Sequence, residues 1–395
     1  MALYIGLMSG TSLDGVDGVL AAFGNRSYAA AHIAGNDKGN GDSSDAALRV
    51  VEHTHRPFPP VLRAELLALN ASGADELHRA ALAGNALARV YAEVVATLLE
   101  SSATARTAIC AIGAHGQTVR HRPREFDGVG YTLQLNAPAL LAELSGIDVV
   151  ADFRSRDVAA GGIGAPLVPA FHRAVFGRPD TAVAVLNIGG IGNLTVLHAD
   201  GRTSGFDCGP GNALMDHWCE LHTGHAFDAG GAWAASGRVD GPLLASMLAE
   251  PYFAAAPPKS TGRDLFNAVW LSGNLRASPT QPLRPEDVQA TLAELTARSC
   301  ADAVRRHAGA ARELLVCGGG ALNSELMRRI ADQLPGAAVG TTERRGLPPM
   351  QVEGAAFAWL ARAFVERQPG NLGAVTGARG SRVLGALYPA ATAEG

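Results

Sequence analysis

LYIGLMSGTSLDGVDGVL, residues 3–20, decides the fold: an apolar run, a turn rich in glycine and hydroxyls, and a second apolar run. Ala2–Met8 reads as a buried strand, Ser9–Gly15 as a tight turn and Val16–Phe23 as the strand that returns beside the first. VAVLNIGGIGNLTVL, residues 183–197, repeats the plan, with Thr181–Asn187 and Leu194–His198 as strands around Ile188–Asn193. A strand–glycine turn–strand unit that occurs twice predicts two pseudo-repeated halves, each opened by one such unit. Ile147–Ala151 and Glu313–Val316 read as further strands. Leu87, Val90, Val94 and Leu98 form a helical stripe within 75–100, and Val288, Leu292 and Leu295 another within 288–308. Asn323–Leu334 and 350–366 read as helices, and the polar stretch 35–45 as a surface loop. Strands alternating with helices predict an α/β chain. The expected domains are 1–150 with 370–395, and 151–369.

The chain has 395 residues, too many for one ordinary core. It is 47% hydrophobic and 18% charged, as soluble globular proteins are. A net charge of −4 with scattered Lys and Arg predicts no nucleic-acid partner. The first residues carry no cationic leader, and no apolar stretch reads as long enough for a membrane span, so no membrane partner is expected. Five separated cysteines without a CxxC pair predict neither a zinc site nor a disulfide framework, which fits a cytoplasmic setting. Glycine is the informative excess, with 47 residues clustered after strand-like segments.

Six segments carry candidate chemistry. Gly10, Thr11, Ser12, Asp14, Gly15 and Asp17 suit a phosphate, because glycine lets backbone N–H groups approach and hydroxyls add donors. Asp14 is the candidate magnesium ligand, since a hard cation prefers oxygen. Asn187, Gly189, Gly190 and Asn193 form a second such turn. Gly318, Gly319, Gly320 and Asn323 leave a flat backbone on which an adenosine could lie, or on which a helix could meet a strand closely. Asp207, before GPGN, reads as a general base or as the anchor of an Asx turn. His115, Gln117, Thr118, Arg154 and Arg156 suit a polar ligand with a carboxylate; the alternative for Arg154, Arg156 and Asp157 is a structural ion pair. Pro258–Arg263 (PKSTGR) is a polar turn, either a ligand loop or a helix cap.

Taken in order, these segments resemble the anhydro-N-acetylmuramic acid kinase family. The matching strings are GLMSGTSLDGVD (6–17), AHGQT (114–118), ADFRSRDVAAGG (151–162), GAPLVPAF (164–171), NIGG (187–190), FDCGPGN (206–212), PKSTGR (258–263), CGGGALN (317–323) and VEGAAFAWLA (352–361). The resemblance implies an actin-like ATPase fold with two ribonuclease-H-like domains and a cleft between them. It implies ATP and Mg2+ as cofactors, 6–17 and 187–193 as phosphate hairpins, and 317–323 as the adenosine loop. It implies that water opens the 1,6-anhydro ring of the sugar while the γ-phosphoryl passes to O6, in a cytoplasmic homodimer that recycles cell-wall sugars. The family's general base falls on Asp207, and its assisting glutamate on Glu353. The chain departs from the family at Ile163, where glutamine is common, and at Gly192, where alanine or serine is common.

Two rival readings stay open on the residues alone. One is an ordinary sugar or carboxylate kinase that phosphorylates a free hydroxyl. The other is an actin-like or chaperone-like ATPase with the same two hairpins. A non-enzymatic sugar-binding regulator would not need Asp207 or the two phosphate turns.

Overall fold

The computed structural model describes residues 1–10, 12–24, 48–280 and 282–391. The expected loop 35–45 and Thr11 lie outside the described residues. The chain divides into two compact units, Met1–Val175 with Gln351–Gly395, and Phe176–Met350.

In the first unit, β1 (Ala2–Met8), β2 (Gly15–Phe23) and β3 (Leu48–Pro57) form an antiparallel meander. The chain then passes through the helix Glu76–Ser101 to β4 (Ile109–Ala114), which lies parallel to β1. A separate ribbon follows, β5 (Gln117–Pro123) against β6 (Gly130–Leu135). Beyond it, β7 (Val149–Ala151) joins β4 in parallel, and the C-terminal strand Ala386–Tyr388 closes the edge. Reading from β7, the order is β7-β4-β1-β2-β3. β1 and β4 are apolar on both faces because both are covered. Leu87, Tyr91, Val94 and Leu98 of the long helix fill one side. That helix is long and apolar enough to cross a membrane by length and composition, contrary to the expectation of no such stretch, but its stripe is buried in this core.

The helix Val352–Val365 covers the other side, almost backbone to backbone. A Cβ at Gly6 would lie 1.9 Å from the Gly354 carbonyl oxygen, and one at Gly113 would lie 2.1 Å from that of Phe357. Only glycine permits that approach.

The second unit repeats the topology. β8 (Val183–Ile188), β9 (Ile191–Leu197) and β10 (Thr203–Pro210) form the meander; β11 (Glu313–Cys317) and β12 (Ala338–Thr341) extend it in parallel. The order β10-β9-β8-β11-β12 is that of β3-β2-β1-β4-β7. Both are ribonuclease-H-like, as the resemblance implies. The helix Pro285–His307 runs through the core of this unit, with Val288, Leu292, Leu295 and Cys300 buried.

The units divide at 175/176 and 350/351, whereas the sequence reading placed the breaks at 150/151 and 369/370. Pairing of β7 with β4 and with Ala386–Tyr388 ties the segment around 151 into the first sheet. The helix 352–365 packs on β1 and β4, so Glu353 belongs to the first unit. The second glycine turn is also tighter than expected: Gly189 and Gly190 alone connect the strands, and Asn193 lies within β9.

Candidate active site

Asp207 sits on β10, not on a turn, which corrects its reading as an Asx-turn residue. It registers with Asn193 of β9, which registers in turn with Asn187 of β8. A bulge follows between Asp207 and Gly209. The alternation of β10 sends Phe206 and Cys208 into the core and Asp207 to the other face. One oxygen of its carboxylate, Oδ2, accepts from the Ser260 hydroxyl at 2.9 Å and from the Thr261 N–H at 3.0 Å. Its backbone N–H donates to the Lys259 carbonyl at 3.2 Å. The Tyr252 hydroxyl donates to its backbone oxygen at 2.8 Å. Lys259 Nζ donates to the Tyr252 carbonyl at 3.0 Å and lies 4.6 Å from the Tyr252 ring centre. Burial, ahead of the neighbouring Arg306, pushes the Lys259 amine below its ordinary value, while Cys208 and Asp207 pull it back up. The segment 258–263 thus serves the carboxylate. The sequence singled out that loop without connecting it to Asp207.

Past Asp207 the chain folds back onto the glycine turn. The N–H groups of Gly211 and Asn212 donate to the carbonyls of Gly190 and Gly189 at 2.9 and 2.8 Å. Asn212 Nδ2 reaches the Ile188 carbonyl at 3.4 Å. The third glycine segment packs on the same turn. Gly318 has φ 78° and ψ 177°, and a Cβ there would lie 2.4 Å from Asn187 Oδ1 and 2.7 Å from the Ile188 oxygen. A Cβ at Gly320 would lie 2.4 Å from Ile188 Cγ2. The segments 187–193, 207–212 and 318–320 are therefore brought together within one unit. Gly319 is exposed and faces open space beyond Asn212. Asn323 serves the fold, because its Oδ1 caps the helix Ser324–Gln333 by accepting from Leu326 N at 3.0 Å. Gly192 stands where a Cβ would lie 3.1 Å from Cys300 Sγ, so the departure at that position leaves room for the thiol.

In the first unit, the turn after β1 is braced from below. The Tyr91 hydroxyl, fully buried, meets Ser9 Oγ and accepts from the Gly116 N–H, each at 3.1 Å. Gln117 Nε2 donates to the Gly10 carbonyl at 3.1 Å. Ser12 donates to Asp14 Oδ1 at 2.7 Å. Asp14 is exposed. No trio of His, Cys, Asp or Glu able to hold a metal occurs among the described residues. A single exposed carboxylate fits magnesium, which keeps several waters and takes phosphate oxygens. Gly15 is required by β3: a Cβ there would lie 2.3 Å from the Arg56 carbonyl oxygen. Asp17 is engaged by His53 Nε2 at 3.4 Å and His55 Nδ1 at 3.1 Å. Burial acts to raise its carboxyl, but the hydrogen bonds from His53 and His55 outweigh it and hold the group below its ordinary value.

Of the predicted sugar residues, His115 is buried against Phe357, with ring centres 4.7 Å apart. Burial first, then the charge of Arg154, pushes it well below the usual imidazole range. The neutral ring accepts from Arg154 Nε and Nη2 at 3.1 and 2.9 Å, while Arg154 Nη1 donates to the Gly164 carbonyl at 2.7 Å. Thr118 Oγ1 accepts from Gln134. Arg156 is exposed on the short helix Ser155–Ala159. The suggested ion pair with Asp157 is replaced by a ring of neutral donors. Asp157 is fully buried and accepts from Asn371 Nδ2 at 2.6 Å, Thr376 Oγ1 at 2.7 Å and the Gly164 N–H at 2.9 Å. Glu353 is half-buried in the first turn of its helix. The backbone of Ile163 donates to the Thr376 carbonyl at 2.8 Å.

Two like-ordered sheets, each opened by a glycine turn, are the build of the actin-like ATPase fold, which sugar kinases share. The chain's closer kinship follows from comparison. The family model described as "Anhydro-N-acetylmuramic acid kinase" matches residues 2–390. A protein of that name from Variovorax paradoxus (strain S110) is 61% identical over 98% of this chain and 99% of its own. Another, from Albidiferax ferrireducens, is 58% identical over 98% and 99%. Among solved structures, the activator of the 2-hydroxyisocaproyl-CoA dehydratase from Clostridium difficile with bound ADPNP matches 92% of this chain and 96% of its own, at 13% identity and a TM-score of 0.46. The chain belongs to the anhydro-N-acetylmuramic acid kinase family.

Proposed function

We propose that the protein uses ATP to open the 1,6-anhydro ring of anhydro-N-acetylmuramic acid and to phosphorylate O6, giving N-acetylmuramic acid 6-phosphate and ADP. The observation that carries this reading is the Asp207 carboxylate, held by two donors on the strand beside the Gly189–Gly190 turn. Asp207 takes a proton from the water whose oxygen bonds to C1. The C1–O6 bond breaks, and its electron pair stays on O6. O6 bonds to the γ-phosphorus as the bond from that phosphorus to the ADP oxygen breaks. General-base assistance of this kind contributes roughly 10²–10⁴ in rate. Gly10, Ser12, Gly189 and Gly190 supply donors to the phosphates. Gly318–Gly320 lie under the adenosine, with the exposed Gly319 nearest to it. Asp14 would hold magnesium, which supplies charge neutralisation at the phosphates.

Glu353, His115 and Gln117 belong to the sugar side. Arg154 acts there by fixing the neutral tautomer of His115. A cytoplasmic homodimer is part of the same reading.

The test is ADP release with the anhydro sugar and with free N-acetylmuramic acid, side by side. Turnover that requires the anhydro form supports ring opening. Equal turnover of the free sugar would make the protein an ordinary sugar kinase, and sugar-independent hydrolysis would make it an ATPase of another kind.

A further inference from the structure

We propose that Ser260 is the positioning residue of Asp207: its hydroxyl, with the Thr261 N–H, fixes the plane of that carboxylate and favours its ionised form. This rests on the reading of Asp207 as the general base. A carboxylate on a strand can swing about its terminal torsion, which is broad and shallow. Two donors converging on one oxygen, at 2.9 and 3.0 Å, remove that freedom. Donors also stabilise the anion over the acid, and a general base must be ionised before it can take a proton.

The loop that brings these donors is tied to the same strand residue once more directly and once through Tyr252. Asp207 N–H meets the Lys259 carbonyl, the Tyr252 hydroxyl meets the Asp207 carbonyl, and Lys259 Nζ meets the Tyr252 carbonyl. The ties form a closed ring through Asp207, Tyr252 and Lys259. Ser260 itself is exposed, so no core packing calls for a serine there. Its hydroxyl is aimed at a residue 53 positions earlier, and among the described residues nothing nearer in the chain takes that bond.

The experiment uses the full chain, ATP and the anhydro sugar, with Ser260→Ala, Ser260→Thr, Asp207→Asn and the Ser260→Ala/Asp207→Asn pair. Ser260→Ala should lower kcat about threefold to tenfold, less than a hydrogen bond to a charged group is usually worth, because the site is partly solvated. KM for ATP should hold, and the acid limb of the kcat profile should move to higher pH. Ser260→Thr should restore most of the rate. In the Asp207→Asn background, Ser260→Ala should change the residual rate by less than about twofold, since coupled residues are not additive. Unchanged kcat and pH profile in Ser260→Ala would overturn the proposal. So would an equal loss in both backgrounds, or a loss that follows a lowered melting temperature without any shift of the acid limb. Near-normal turnover of Asp207→Asn alone would instead remove the general-base reading. A normal Ser260→Ala beside an inactive Asp207→Asn removes only the positioning role.

Discussion

Replacing Gly318 by alanine separates packing from ligand binding in the third glycine segment. At φ 78° and ψ 177°, Gly318 lies in a region open almost only to glycine, and a side chain there costs about 1–3 kcal/mol. The new Cβ would also press on Asn187 Oδ1 and on the Ile188 carbonyl, 2.4 and 2.7 Å away. The second of these is backbone at the end of β8, the central strand of its sheet, so relief requires movement of that strand end, worth about another 1–3 kcal/mol. The sum, about 2–6 kcal/mol, acts on the second unit. For a unit of this size each kcal/mol lowers the melting temperature by about 2–4 °C, so a loss of about 10 °C is expected. Tryptophan fluorescence reads it directly: Trp218, Trp233 and Trp270 lie in the second unit and Trp359 alone in the first. Gly319→Ala is the paired control. Its Cβ would meet nothing closer than Asn212 Nδ2 at 3.5 Å, so its melt should match the wild type while KM for ATP rises. A Gly318→Ala melt within about 2 °C of the wild type would refute the packing argument, because no relaxation that small removes both overlaps.

Asp157→Ala should leave the donors of Asn371, Thr376 and Gly164 buried without an acceptor, costing roughly 3–5 kcal/mol in a urea titration. Asp207→Asn should keep ATP binding, measured by equilibrium titration, and lose turnover by about two decades or more. The Asp17–His55 contact should make stability depend on pH. His55 is raised above 6.5, first by its bond to Asp17 and against the effect of burial, so its contribution is full below 6.5 and fades as pH climbs through the folded value. Asp17 is lowered below 3.8, so its contribution is present above 3.8 and fades as pH falls through the folded value. His55→Asn should therefore destabilise more at about pH 6 than at about pH 8.5, as followed by thermal melts.

The parts of the fold legible in the sequence were those whose signal is local. β1, β2, β8 and β9 are apolar runs joined by glycine turns, and their pairing needs no distant partner. β3 went unread because His53, His55 and Arg56 break the apolar pattern of an edge strand, which keeps polar groups on its open side. β10 was hidden by Gly205, Gly209 and Pro210, although seven of its residues pair with β9. The domain breaks depended on strand pairings between residues more than two hundred positions apart, which no local pattern records. The site divides the same way. Asp207 could be picked from its motif, but its Ser260 and Thr261 partners arise only from the fold. Gly15 and Asn323 sit in ligand-like strings, yet β3 and a helix N-terminus account for them. The Tyr91 hydroxyl, which fixes the turn after β1, lies in the same helix as the apolar stripe Leu87, Val90, Val94 and Leu98, whose spacing does not single it out.

The helix Val352–Val365 covers strands made more than two hundred residues earlier, with its backbone almost touching theirs. During synthesis, the continuous block Phe176–Met350 leaves the ribosome with its entire sheet and core helix in hand. The older N-terminal block must wait, one flank of β1 and β4 bare, until the last segment arrives. A message cut short after codon 350 would thus strand an oily sheet face in water, a surface prone to clumping.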